Sequence, residues 1–249
     1  AHAAFHPAAI DPNRKQFKMV LQDIKDFLDG NAQEIFTLLI ERKANIDDIA
    51  QDFIDLGLVD YTWVQPKDQE WPTIAHMIER NKRLVVFLKD DYTRIYPWMN
   101  YQGNYMWSTP YQFSCAKTLA QSTGIDPRQK GFQGPDNYNR RKQKTKNTLF
   151  AIPHFITIGF AGLPGAADVV NKKKILAHRV RQLRKKAGII PNFVELDFTQ
   201  HGDGYMVVRK LNEELLRQEI RAELSGTIPE GKQEDDVPIK PFPTGHGFG

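Results

Sequence analysis

The chain has 249 residues, a net charge of +4 at pH 7, 41% hydrophobic residues and 26% charged residues. Those values fit a folded globular protein and exclude a disordered or collagen-like chain, and a single cysteine, Cys115, excludes a disulfide-stapled one. The longest apolar runs, at 35–40 and 84–88, fall far short of the roughly 20 residues a membrane-spanning helix needs, and the first residues lack the order of a signal peptide.

Helical and strand signals alternate along the chain. A possible strand at 3–5 comes first. Asp11 and Pro12 read as a cap followed by proline at the first helical position. Met19, Val20, Ile24, Phe27 and Leu28 then recur at helical spacing until Gly30. The run at 34–40 (EIFTLLI) has the continuous apolar character of a strand buried on both faces, as in a parallel sheet. Asn45 caps a second helix with Asp47 and Asp48 in its first turn, and Gly57 ends it. A short strand is expected at 61–64, a helix after Pro72, and a second buried strand at 84–88 (LVVFL). Residues 91–147 break the rhythm: they are rich in Tyr, Trp, Asn, Gln and Gly and end in RRKQKTK, which reads as a long insertion. A strand at 149–158, one long basic helix at 168–186, a strand at 193–198 and a helix at 207–224 complete the pattern. The Pro- and Gly-containing tail at 225–249 reads as extended. Alternating strands and helices with buried strands predict an α/β fold around a parallel sheet.

The charge is unevenly placed. Residues 137–186 hold thirteen Lys or Arg and one acid, Asp168, a local balance of +12, so the remainder carries −8. Such a block suits an anionic partner, a lipid headgroup, nucleic acid or an acidic protein face, or simply a solvated loop and helix face. The aromatics Trp98, Tyr101, Tyr105, Trp107 and Tyr111 fit either a lipid or partner interface or packing under a loop. No nucleic-acid module signature accompanies the basic residues, and no Walker loop, dinucleotide fingerprint or nucleophile elbow is present.

The order of short motifs carries a resemblance. FLDGNAQEIFTLLIE (27–41), GLVDYTWVQP (57–66), EWPTIAHMIERNKRLVVFLKD (70–90), TPYQFSC (109–115), IPHF (152–155) and PNFVELDF (191–198) together resemble the phosphatidylinositol-specific phospholipase C-like phosphodiesterases. That resemblance extends over about residues 17–216 and implies a TIM-type barrel within 1–224. Two histidines of the family act as general acid and base on a phosphodiester. Some members add a calcium ion held by carboxylates; others place a basic side chain by the phosphate. This sequence begins where the family's third strand would lie, so the expected barrel is incomplete, lacking its first two strands and the Gly-Thr-His-type motif of the first.

The site expected from this family and from the carboxyl ends of the strands contains five residues. His2 matches the second family histidine, with His6 as an equal claimant. Glu41 ends the 34–40 strand, matches a calcium-ligand glutamate in calcium-dependent relatives, and reads as a catalytic residue or as the metal ligand. Lys89 ends the 84–88 strand, where its ammonium can meet a phosphate oxygen. His154 and Asp197 are expected to bind substrate, with a core histidine and a loop cap as the competing readings. Calcium is the one cofactor the resemblance implies. The favoured function is a phospholipase C-like domain, catalytically incomplete in this chain, that serves as a structural or interaction subunit beside other protein chains. The alternative is an active phosphodiesterase on phosphoinositide-type phosphodiesters whose missing histidine comes from an N-terminal segment or a separate chain. The resemblance implies secretion, while the basic balance and single thiol suit an organellar assembly.

Overall fold

The first helix, α1 (Arg14–Gly30), is amphipathic: Ile24 and Leu28 of the predicted face are buried together with Leu21, while Met19 and Phe27 of that face are exposed. Its end is tied down by Arg83, whose guanidinium donates to the carbonyls of Leu28 and Asn31 at 2.9 Å each. The last carbonyls of a helix lack intrahelical donors, so the arginine serves Leu28 there, shares the Asn31 carbonyl with the Glu34 N–H, and ties α1 to the start of the strand at 84–88. This computed structural model describes residues 14–41, 44–67, 69–111, 113–122, 148–158, 161–187 and 190–225. The predicted strand at 3–5, His2, His6, the basic run at 140–146 and the tail beyond residue 225 lie outside them.

Strand β1 (Phe36–Ile40) follows α1. Helix α2 (Ile46–Asp55) starts at Asn45, whose side chain accepts from the Asp47 backbone N–H. The strand predicted at 61–64 does not form: Leu58–Tyr61 is a 3-10 turn and only Thr62 bridges to Leu84. Gly57, at φ 68°, takes the left-handed conformation that leads into this turn. Helix α3 (Ile74–Glu79) is capped by Thr73, and strand β2 (Leu84–Leu88) matches its predicted bounds.

The segment that broke the rhythm contains regular structure. Strand β3 (Met99–Tyr101), a helical turn α4 (Gln102–Tyr105), strand β4 (Met106–Ser108) and helix α5 (Ala116–Gln121) all fall within it. Strand β5 (Leu149–Pro153) is followed by an antiparallel pair, β6 (Thr157–Ile158) and β7 (Ala161–Gly162). The single helix predicted at 168–186 is two, α6 (Pro164–Val170) and α7 (Lys173–Ala187). The break has a local cause. Asp203 accepts from the Lys173 backbone N–H at 2.9 Å and starts α7 afresh, while the Asn171 side chain donates to the carbonyls of Asp197 and His201. Strand β8 (Phe193–Glu195) and helix α8 (Gly204–Leu224) complete the order.

The architecture is a mixed α/β one with two three-stranded parallel sheets, ordered β1-β2-β3 and β4-β5-β8. Phe36 to Ile40 pair with Leu84 to Leu88, and Ala151 to Pro153 pair with Phe193 to Glu195. Alternation along the strands separates two faces. On one, Leu84, Val86 and Leu88 pack with Leu21, Leu28, Ile49 and Phe53 of α1 and α2. On the other, Val85 and Phe87 of β2 join Met106, Ala151 and Phe193 of β4, β5 and β8 in one cluster. The inner faces of both sheets therefore share a core. By contact density the chain divides into two units, 1–209 and 210–249. Of the second, the described part is the end of α8, where Leu216, Ile220 and Leu224 are exposed.

Candidate functional site at the carboxyl ends of the strands

Parallel strands bring their carboxyl ends to one side, which makes that side the natural place for a ligand. On β1, Ile35 and Leu39 belong to the inner cluster, so Glu41 continues the same face. On β2, Val85 and Phe87 do the same for Lys89. The ladder continues past the strands, with the Lys89 N–H donating to the Ile40 carbonyl. Glu41 and Lys89 thus become a cross-strand pair, their charged atoms 2.9 Å apart. The pair is about half exposed, with side-chain exposures of 59% and 50%. The hydrogen bond to Glu41 holds the Lys89 ammonium above its ordinary range, so it is a firm cation at neutral pH.

The Glu41 carboxylate is matched by an ammonium at hydrogen-bond distance. Hard cations such as calcium take six or more oxygen ligands, and among the described residues no group of three or more His, Cys, Asp or Glu is placed to hold a metal.

The second sheet ends in a buried polar cluster. His154 follows β5 and is fully buried. Arg179 of α7 donates to its Nδ1 at 3.2 Å, and its Nε2–H donates to the Val170 carbonyl at 2.9 Å. Both ring nitrogens are engaged, which fixes one neutral tautomer and leaves none for a substrate oxygen. Burial, reinforced by the Arg179 charge, pushes its pKa down to about 4. Arg179 is itself fully buried. It donates to the carbonyls of Ser122 and Pro153 and to the Thr109 hydroxyl, and its guanidinium lies 5.4 Å from the Phe113 ring centroid. All its hydrogen-bond partners are neutral groups, and desolvation brings its pKa down to about 9.

Glu195 ends β8 on the same face as Phe193, hence on the inner face with Glu41 and Lys89. It is 9% exposed. Burial pushes its carboxyl up to about 7. Asp197 lies just beyond, beside a shallow pocket lined by Phe155, Leu163 and Asn171, and its carboxylate packs against Gly162. A side chain on Gly162 would collide with that carboxylate, so the glycine is required by close approach.

The structure thus brings Glu41 and Lys89 together, engages His154 internally, and places Asp197 in the loop after β8. Sequence reading missed Glu195 and Arg179. Arg179 looked like one more cation of a basic helix, yet it shares the helical phase of Leu176 and Leu183, both fully buried. Glu195 was legible through its two-residue spacing from Phe193.

Two parallel sheets sharing one core, with charged side chains at the carboxyl ends of their strands, define a mixed α/β protein. The chain belongs to the PI-PLC X family: the family model described as PI-PLC X 1 matches residues 5–212. PI-PLC X domain-containing protein 1 of Arthroderma benhamiae is 32% identical over 228 residues, covering 83% of this chain and 68% of that protein. A PI-PLC X domain-containing protein of Arabidopsis thaliana is 25% identical over 193 residues, covering 74% of this chain and 41% of that protein. No solved structure matches the chain.

Proposed function

We propose that this chain forms part of a phosphodiesterase of the PI-PLC X family, acting on phosphoinositide-type phosphodiesters from the carboxyl ends of a TIM-type barrel. The observation that carries the reading is the Glu41–Lys89 pair on the inner face, 2.9 Å apart and open to solvent. An exposed ion pair contributes little to stability, so its cation is free to exchange a carboxylate for a phosphate oxygen. A lysine held firmly cationic supplies the positive charge that calcium supplies elsewhere, and it stabilises the charge that develops on phosphorus oxygens. Glu41 holds the ammonium in place before substrate arrives. His2 is the acid–base histidine this reading would recruit.

The test is turnover of phosphatidylinositol vesicles by the full-length protein, with Lys89→Met and Glu41→Gln beside it. Loss of one transition-state donor costs on the order of 10² to 10³ in kcat, and that loss is expected for Lys89→Met without addition of calcium. Turnover that needs calcium, or that survives Lys89→Met, sinks the proposal.

A second reading, a non-catalytic interaction subunit, draws on β1. Its residues are mostly half-buried, whereas every residue of β2 is buried. Among the described strands β1 pairs on one side only, and such an edge accepts a further strand. Size-exclusion chromatography with light scattering would separate this subunit from a monomeric enzyme.

A further inference from the structure

Four large apolar side chains are left in water around one junction of the fold. Leu163 precedes α6 and Val169 lies in its last turn, and both are nearly half exposed. Tyr205 and Met206 open α8, at 70% and 48% exposure. Hydrogen bonds tie these places together. Asn171, between α6 and α7, donates to the carbonyls of Asp197 and His201, and its own carbonyl accepts from the Asp203 N–H at 2.9 Å. The Asp203 side chain in turn accepts from the Lys173 N–H. Gly202, at φ 77°, approaches Asn171 so closely that a side chain there would meet its backbone. The apolar side chains are thus carried on a firmly tied base beside the loop that follows β8. The uncommitted charges of this junction are cations. Lys172 and Lys174 flank the start of α7 and are exposed. The acids beside them are engaged, Asp168 with His201 at 2.8 Å and Asp203 with the backbone of α7. A single exposed apolar residue is ordinary, but a group of them rimmed by polar residues marks an interaction surface.

We infer that this junction is a docking surface for an anionic lipid bilayer, with Leu163, Val169, Tyr205 and Met206 entering the interface and Lys172 and Lys174 meeting lipid phosphates. The inference rests on the phosphodiesterase reading above and adds to it the way the chain meets a substrate held in a membrane. A bilayer suits both halves of the patch. Apolar side chains reach the acyl boundary, a tyrosine ring sits at headgroup level, and lysines on the same surface meet a negative potential. The place suits it too. The junction is built from the segments that follow β5 and β8, so on that reading it borders the ligand side of the barrel. A second copy of the chain is a poorer occupant, because a two-fold pair would bring the lysines of both copies into one interface. An acidic protein face would satisfy the lysines and leave the four apolar side chains against charge.

The experiment is cosedimentation of the full-length protein with vesicles of phosphatidylcholine mixed with phosphatidylserine. These contain no phosphoinositide, so they register binding apart from turnover. Wild-type protein is expected to bind them and to be partly released by salt. The double variant Tyr205→Ser with Met206→Ser is expected to bind about tenfold more weakly or worse. Lys172→Gln with Lys174→Gln is expected to lose about 30-fold. Turnover of phosphatidylinositol vesicles is expected to fall with binding in both, while turnover of a short-chain, monomeric phosphatidylinositol stays at the wild-type rate. Circular dichroism of each variant confirms that it is folded. Wild-type protein that ignores the mixed vesicles, or a Tyr205→Ser, Met206→Ser protein that binds them as wild type does, overturns the inference and leaves the Lys89 reading standing. A dimer in light scattering that the same double variant dissolves also overturns it, and assigns the patch to a second copy. Wild-type protein that binds the vesicles but turns over neither form of phosphatidylinositol overturns the phosphodiesterase reading and leaves the docking surface standing.

Discussion

The two parallel sheets carry contrasting charged groups at the carboxyl ends of their strands. The first ends in Glu41 and Lys89, a paired and solvent-exposed couple. The second ends in Arg179, His154 and Glu195, all buried, and without one salt bridge among them. Water explains the contrast. At the first site the charges stay hydrated, so the pair forms at little cost and is easily exchanged for another anion. At the second site hydration is lost, and each group must find a hydrogen bond or shift its protonation. Arg179 takes the first course, with four neutral acceptors. Glu195 takes the second. One sheet end thus carries paired, hydrated charge and the other buried groups with shifted protonation.

The contrast breaks most severely at Arg179. Replacing it with methionine removes the donor to the Ser122 and Pro153 carbonyls, to Thr109 and to His154 Nδ1 together. Buried acceptors left without partners each cost about 1–3 kcal/mol. Arg179→Met is therefore expected to lose about 3 kcal/mol or more in urea unfolding, and a loss below about 1 kcal/mol would show that water replaces the guanidinium.

The next effect concerns pH, and here two buried groups oppose each other. Glu195 has a carboxyl raised from 4.5 to about 7. Its native protonation favours folding fully below the unfolded value and is lost as pH rises through about 7, so stability falls across pH 4.5–7. His154 is lowered from 6.5 to about 4. Its neutral native form favours folding above 6.5 and is lost as pH drops toward 4, so stability rises across pH 4–6.5. Each slope is worth about 3 kcal/mol over its window, at about 1.4 kcal/mol per pKa unit. They nearly cancel, and the wild-type protein is expected to be almost flat in stability between pH 4.5 and 6.5 as far as these two groups are concerned. Glu195→Gln removes one slope and exposes the other. Its melting temperature is expected to climb with pH over that range. Calorimetry at half-unit intervals measures this, and equal profiles for the two proteins would mean that Glu195 is hydrated.

Two of the three strands in each sheet were readable from the residues, β1 and β2 in the first and β5 and β8 in the second. The run 84–88 is continuous and apolar, and it became β2 with those bounds, because a strand covered on both faces must be apolar at every position. Asn45 was a visible cap because its side chain bonds locally, two residues on. The strands at Met99–Tyr101 and Met106–Ser108 were not visible: three residues each, carrying Asn and Ser, they give no period to detect. Asn100 is a ladder residue whose amide is consumed by the carbonyls of Trp63 and Val86, and those partners are distant in sequence. The site divides the same way. Glu41 and Lys89 could be placed because strand ends are local, while the two roles open to His154 depended on Arg179, twenty-five residues away.

A smaller effect isolates one bond of the buried cluster. Thr109→Val keeps the volume and removes the hydroxyl that accepts from Arg179 at 2.9 Å. Thr109 is fully buried, so water has no easy access to replace that partner. A loss of about 1–2 kcal/mol is expected from urea unfolding, less than for Arg179→Met because the guanidinium retains its bonds to Ser122, Pro153 and His154.

The smallest effect on stability belongs to the first sheet, and its smallness is what makes it informative. Lys89→Met removes one partner of a pair that is half exposed on both sides. Water solvates the Glu41 carboxylate left behind, and exposed pairs of this kind contribute about 0–1 kcal/mol. The unfolding midpoint in urea is therefore expected to move within about 0.5 kcal/mol of wild type, whereas turnover falls steeply. A residue that matters to folding would show the reverse. A loss of several kcal/mol in Lys89→Met would mean that the pair is a structural clamp between β1 and β2. The cation would then have been placed for the sheet and not for a phosphate, and the functional difference between the two sheet ends would disappear.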